Sequence, residues 1–599
     1  MLKKSTILGM AVLSAALFCK PGEAQGVIPP RARIAHMSAS LTPSIPSSAP
    51  VGASVTWKVD VSNAGPGTVW YRFRVRPPGG EFRLVRDFGP DSSLGWAASE
   101  HEGIYQIEAA VANKETGRTF VTSAYYEVTS RVSAGAPLIS PTSNPLVFLY
   151  SAPPCPAGAR MTVQFQAADG SAASTGYKPC SPSLSMNFYL AGMRPNTQYS
   201  VKHTVDTGAA LLDGPTLSLT TPDVSLAIAG YNVTQPWPTS ATDGILLQSS
   251  ILQTNVATDL NGNLVWFYPG NLSFLTRPEP GGFFFGIIQN PKDDSSRQIL
   301  REFDLAGITI RETNAARVSE QLAAMGKRPI TGFHHEVRSL PNGGVLLLAS
   351  TEQILTDIQG PGPVDVLGDM ILALDRDLQV VWTWDAFDNL DTSRLAILGE
   401  TCAPVGGGCP PFYLAPQAND WLHGNALQLT ADGNILYSVR HQDWLIKIDY
   451  NNGQGSGNII WRLGKDGDFQ FNSSDPYPWF SHQHDAEFVD GDPSTLMVFD
   501  NGNTRYAADP TANSRGQVLQ LDEANRVATL LLNADLGAYS FALGAAQKLP
   551  NGNYHFDLGI LPDRSSRSVE VDPSGNTVYS IQVATPEYRT FRMRDLYTP

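Results

Sequence analysis

Six of the chain's ten histidines lie between positions 334 and 484: His334, His335, His423, His441, His482 and His484. Imidazole changes charge near neutral pH, so a cluster of such rings can attack an electrophile, carry a proton or ligate a metal. The segments FHHEVRSLPNG, WLHGNALQLTADG and SHQHDAEFVDG each place histidine just ahead of, or at the start of, an apolar stretch that runs into a tight turn. A single histidine at a strand end is ordinarily structural, but three at matching positions of a repeat point to one shared site. His423, one of His334 and His335, and one of His482 and His484 are therefore expected to meet. Arg440, one strand beyond His423 in YSVRHQDW, would ordinarily be half of an ion pair. Beside converging imidazoles its planar fork of donors suits a tetrahedral oxyanion.

The elements that must position these groups are read from repeats. From residue 224 to 599 the chain alternates two patterns. One is an apolar strand, a tight turn and another apolar strand, as in RSLPNGGVLLLAS, LQLTADGNILYSV, EFVDGDPSTLMVF and QKLPNGNYHF. The other is a strand ending in Asp, a turn and a strand often carrying Trp or Tyr, starting at Asp259, Asp304, Asp375, Asp449, Asp522 and Asp572. Six copies predict a six-bladed β-propeller over 224–599, with the first strand of each blade lining a central channel. An eight-stranded or irregular sandwich is the competing architecture. Upstream, SVTWKVDV, VWYRFRVRP and GIYQIEAAV alternate as half-buried strands and predict an immunoglobulin-like sandwich over 33–132. A fibronectin-III-like sandwich is expected over 136–222, where MRPNTQYSVKHTV offers Pro195, Thr197 and Tyr199 as its turn and buried tyrosine. The fold class is all-β, with both sandwiches as scaffold.

At 599 residues the chain is too long for one core. A formal charge of −14 disfavours nucleic acid and anionic membranes as partners, so an anionic substrate must be held by local basic groups. Lys3 and Lys4, the apolar run Ile7 to Phe18 and Gly22-Glu23-Ala24 predict a signal peptide over 1–24 and a periplasmic or secreted protein. No later segment is apolar enough to be an integral membrane span. Phe18 before Cys19 is too large for a lipidation site. The four remaining cysteines are expected to pair as Cys155 with Cys180 and Cys402 with Cys409.

The runs DWLHGNALQLTADGNILYSVRHQDWLIKID, IIWRLGKDGDF and FSHQHDAEFVDGDPSTLMVFDNG, with FHHEVRSLPNGG, resemble the bacterial arylsulfate sulfotransferases, PAPS-independent enzymes of the periplasm. The resemblance implies transfer of a sulfuryl group from an aryl sulfate to a phenol through a sulfohistidine, with neither cofactor nor metal. It places the nucleophile at His484 and the groups that hold the sulfuryl oxygens at His335, His423 and Arg440, one of the two histidines also carrying the proton. Asn425 matches a further polar contact, and His334 and His482 stand as substitutes within their pairs. The implied partners are a small aryl sulfate donor and a phenolic acceptor, with a homo-oligomer left open. The absence of GxxxxGK[ST] argues against a nucleotide donor bound by a phosphate loop. In this family we associate the disulfide with the stretch after the histidine matching His423, so Cys402 and Cys409 are read as a local staple. Two other readings compete. A metalloenzyme could use imidazoles with Glu336 and Asp485, although Arg440 would repel the cation. A secreted, non-enzymatic binding propeller leaves the convergent histidines unexplained. Trp421, Trp479, Phe480 and Phe541 could line the mouth or fill the core.

Overall fold

The repeated aspartates bend the chain. Asp259 and Asp304 end strands, Asp375 and Asp572 directly follow strand ends, and each carboxylate accepts from the backbone N–H groups two and four residues on. A side chain that satisfies its own turn in this way fixes where a strand reverses. The computed structural model in which these turns are seen describes residues 36–236, 244–290, 294–403, 409–410 and 414–599. The expected signal peptide and Cys19 lie outside the described residues.

The turns fold the region after residue 230 into six antiparallel meanders of four strands among the described residues. Their innermost strands are β1 (Phe274–Glu279), β2 (Gly332–Ser339), β3 (Gly424–Leu429), β4 (His484–Val489), β5 (Ala545–Lys548) and β6 (Glu587–Met593). Each packs beside the next, and β6 lies against both β5 and β1. The last strand of the chain, β6, pairs antiparallel with Ile245–Ser250, so the final segment completes the sheet that the first strands began. Aromatic residues of the repeat fill the gaps between sheets: Trp266 stacks on Phe284 at 5.0 Å, and Trp384 meets Tyr437 edge to face at 5.9 Å. Trp421 and Phe480 are buried in these layers, Trp479 is partly buried, and Phe541 is exposed.

Upstream of these sheets stand two sandwiches. In the second, Cys155 is bonded to Cys180, and the Tyr199 hydroxyl accepts from the Arg194 N–H at 2.9 Å. The first runs into the sheets without a break: Arg83–Gly89 pairs in parallel with Thr309–Asn314, the outer strand of the β1 sheet. Arg86–Glu312 and Arg297–Asp91 ion pairs fasten the junction.

Two features of the inner strands set up the site. β1 to β4 all carry bulges, and His335, His423, His482 and Asp485 have positive φ, between 46° and 55°. A bulge re-aims side chains that a regular strand would alternate. Below the histidines, buried charges cross the axis. Arg589 donates to Glu336 at 2.9 Å and to the Asn425 carbonyl at 2.6 Å, while Arg277 reaches Glu336 at 3.2 Å and Asp485 at 2.5 Å. Burial opposes ionisation of Glu336, but Arg277, Arg589 and Arg338 hold its carboxyl below the ordinary range. Truncating one partner strands the others in low dielectric. Glu336→Ala is therefore expected to destabilise the protein by about 3–5 kcal/mol, read as a lower denaturant midpoint with an unchanged slope.

Candidate active site

At the start of β2 to β4 the histidines form one continuous chain of rings. His335 and His423 meet edge to face with centroids 4.9 Å apart, His423 lies 4.7 Å from His441, and His441 lies 5.6 Å from His482. His484 joins them electrostatically. Its pKa falls well below the ordinary 6.5 through burial first, then through the charges of Arg440, His423 and Arg589. The His335 pKa is likewise pushed far down by burial, with His423, His334 and His484 adding to it. Both rings are neutral at pH 7.

Hydrogen-bond partners fix the tautomers. Asn501 donates its amide N–H bonds to the Ser540 and Leu543 carbonyls at 2.8 and 3.1 Å, so its Oδ1 faces Nδ1 of His484 at 2.7 Å. Nδ1 must then carry the proton, leaving the lone pair on Nε2, which accepts a long bond from Leu543 N–H at 3.2 Å. His423 presents Nδ1 to Asp420 at 2.7 Å, the arrangement that orients an imidazole for proton transfer. His335 rests on His334, Nδ1 to Nδ1 at 2.9 Å, and Nε2 of His334 lies 3.2 Å from Asp369. The Tyr588 hydroxyl donates to the His335 carbonyl at 2.7 Å.

Arg440 is held at two of its nitrogens. It donates to Nε2 of His441, whose Nδ1 is tied to the Asp420 carbonyl at 2.6 Å, and to the Phe541 carbonyl at 3.0 Å. Two of its five N–H groups are used in this way, and its buried Nε–H has no partner among the described residues. The other sequence candidates stand behind this layer. His482 is fully buried with Nε2 on Glu400 and Nδ1 2.9 Å from Asp443. Burial works against charge there, but hydrogen bonds to Asp443 and Glu400 raise its pKa, favouring the protonated ring. Asn425 is also fully buried and donates to the Gln483 carbonyl at 2.7 Å, linking β3 to the approach to β4. Glu400, His441 and His482 gather closely enough to ligate a metal, but the Arg440 guanidinium occupies the His441 Nε2 lone pair. Glu336 and Asp485, the metal ligands considered from sequence, are bound by arginines.

Comparison with known proteins decides the family. The Arylsulfotransferase (ASST) family matches residues 230–592, and the Arylsulfotransferase Ig-like domain matches residues 137–222. This chain belongs to the arylsulfotransferase family. No curated protein matches it. Solved structures similar to parts of it include the FN1–FN3 domains of chicken CNTN1, at 13% identity over 30% of this chain and 67% of that one, with a TM-score of 0.13. A two-domain fibronectin type III segment of chicken tenascin matches at 15% identity over 30% of this chain and 98% of that one, with a TM-score of 0.14. At such TM-scores neither likeness bears on the fold.

Several groups of this arylsulfotransferase site were not singled out from sequence. Asp420 and Asn501 lie inside the quoted motif runs, and their polar character three residues before His423 and within FDNG was the available signal. Asp369 and Tyr588 belong to no motif. Cys402 is bonded to Cys409 two residues beyond Glu400. The Asn501 contact gives a test: Asn501→Leu frees Nδ1 and mixes the His484 tautomers. Turnover of an aryl sulfate is expected to fall roughly tenfold to a hundredfold, while circular dichroism and the melting temperature identify any loss due to misfolding.

Proposed function

We propose that this arylsulfotransferase moves the sulfuryl group of a phenolic sulfate ester to an acceptor phenol by a two-step, nucleotide-independent mechanism. The observation that carries the reading is the His484 ring: neutral, with Nδ1 on Asn501 and Nε2 unprotonated, its lone pair held only by a long 3.2 Å bond from the Leu543 N–H that an incoming sulfur would displace. Nε2 attacks sulfur, the bond from sulfur to the aryl oxygen breaks, and the phenolate leaves. His423, oriented by Asp420, supplies the proton that a poor leaving group needs. An acceptor phenol then gives its proton to His423, its oxygen attacks sulfur, and the N–S bond of the sulfohistidine breaks. Charge in such a loose transfer spreads over the equatorial oxygens, so fixed donors contribute most of the rate. Arg440 Nε–H and the His335 ring are assigned that role. His334, His482 and Asn425 position these groups from behind.

The same reading takes the six meanders as a six-bladed propeller, supported by the succession of inner strands from β1 to β6 and back. The charged, then apolar, N-terminal sequence supports export to the periplasm or beyond.

Two experiments test the mechanism. Protein quenched during turnover of 4-nitrophenyl sulfate is expected to carry an added sulfuryl group on the peptide containing His484, lost in His484→Ala; an adduct on another residue would displace the assignment. The pH profile supplies the second. A depressed pKa keeps His484 unprotonated as pH falls, so the burst of nitrophenol release should hold steady from pH 8 to below 6.5 and decline only in more acid solution. This donor needs no leaving-group acid, so an acid limb at or above 6.5 would show that the attacking group is not the depressed imidazole.

A further inference from the structure

The gap between the β5 sheet, the sixth in chain order, and the first sheet, which β6 completes, differs from the other gaps between sheets. Its buried apolar core is small, Leu246, Leu260, Tyr579 and Ile581. Next to it stands a fully enclosed set of oxygen-bearing side chains. Asp557, Glu587 and Gln248 are 0% exposed, and Ser566 and Ser568 are 1% exposed. Asp557 lies opposite Ser568 in its strand pair, and the Ser568 hydroxyl lies 2.9 Å from that of Thr590 on β6. Thr590 in turn pairs across from Gln248. Glu587 opens β6 and is tied to the sixth sheet by its N–H, which donates to the Gly559 carbonyl at 2.9 Å.

Many of these oxygens are not hydrogen-bonded. Both carboxylate oxygens of Glu587, Oδ2 of Asp557, Oε1 of Gln248 and Oγ of Ser566 have no partner among the described residues. Ser566 stands two residues from Ser568 on the same face of its strand, so an independent, buried hydroxyl adds to the two acids. Burial and the like charge of Asp557 drive the Glu587 carboxyl well above its ordinary range. Protonating one acid satisfies at most one or two of these oxygens and leaves the others buried without a donor. Two carboxylates with an amide oxygen and a hydroxyl make an oxygen-rich donor set that suits a hard divalent cation, which would neutralise both charges and satisfy the oxygens together, while the neighbouring His555 directs its Nε2 to the Thr590 hydroxyl at 2.9 Å.

We propose that Glu587, Asp557, Gln248 and Ser566 form a binding site for one hard divalent cation of the calcium or magnesium type, joining the closing strand β6 to the sixth sheet. The site is structural and separate from the histidines. β6 also carries Tyr588 and Arg589, which hold the His335 carbonyl and Glu336, so the cation would brace the strand behind them.

Elemental analysis of the exported protein, purified without chelator and exchanged into metal-free buffer, tests this directly. About one calcium or magnesium ion per chain is expected. EGTA or EDTA should remove it and lower the melting temperature by several degrees, and added CaCl2 or MgCl2 should restore it. The Asp557→Asn/Glu587→Gln double variant should retain no ion and melt at a temperature indifferent to chelator. Should that variant not fold, Ser566→Ala, which removes one hydroxyl, is expected to bind calcium several-fold more weakly. Wild-type protein without stoichiometric divalent ion and insensitive to chelator and added salt overturns the proposal, as does undiminished retention by the variants.

Discussion

Three arginines and three carboxylates balance one another between the inner strands of this protein. Arg277, Arg338 and Arg589 face Glu336, Asp485 and Glu487, and the groups come from the inner strands of four different sheets. A buried charge is tolerated only while its partner is in place, so every sheet must arrive in register for the set to be neutral. Two of the acids are sequence neighbours of site histidines: Glu336 follows His335, and Asp485 follows His484. Clamping the carboxylates therefore fixes the backbone from which the imidazoles project.

Adjacent residues of a regular strand point to opposite faces. The bulges at His334–Val337 and His484–Glu487 break that alternation, and His335 and Asp485 take left-handed backbone where they occur. Such conformations cost of order 1 kcal/mol or more each for side chains of this kind. In return, neighbouring residues divide the work: imidazole lies in the site while carboxylate turns to the axis. Burial and nearby positive charge then keep His335, His441 and His484 unprotonated. His482, between Asp443 and Glu400, is the exception: the two acids raise its pKa and favour its protonated form. An imidazole kept neutral beside a fixed arginine can, on the proposed mechanism, attack an anion that the arginine attracts.

The scaffold contributes stiffness. A parallel pairing at Glu312 and Arg86, with their ion pair, ties the first sandwich to the outer strand of the β1 sheet. The pairing of β6 with Ile245–Ser250 closes the order of strands with the end of the chain, so the final residues hold the first sheet together.

Much of this was legible in the sequence. The repeated Asp is a local device, since a carboxylate bonds its own turn, and the repeated Trp packs wherever two sheets meet, so both betrayed the meanders. The three histidine segments announced a shared site because equivalent places in a repeat meet in space. Sequence alone could not settle which ring of each pair faces inward, since one bulge reverses a side chain and leaves no residue signature. Nor could it supply Arg277 and Arg589 as partners of Glu336, Asn501 as the group that sets the His484 tautomer, or the oxygen-lined gap of Asp557 and Glu587. Those depend on contacts between residues far apart in the chain, whose energy exists only once the strands are assembled and water has been excluded.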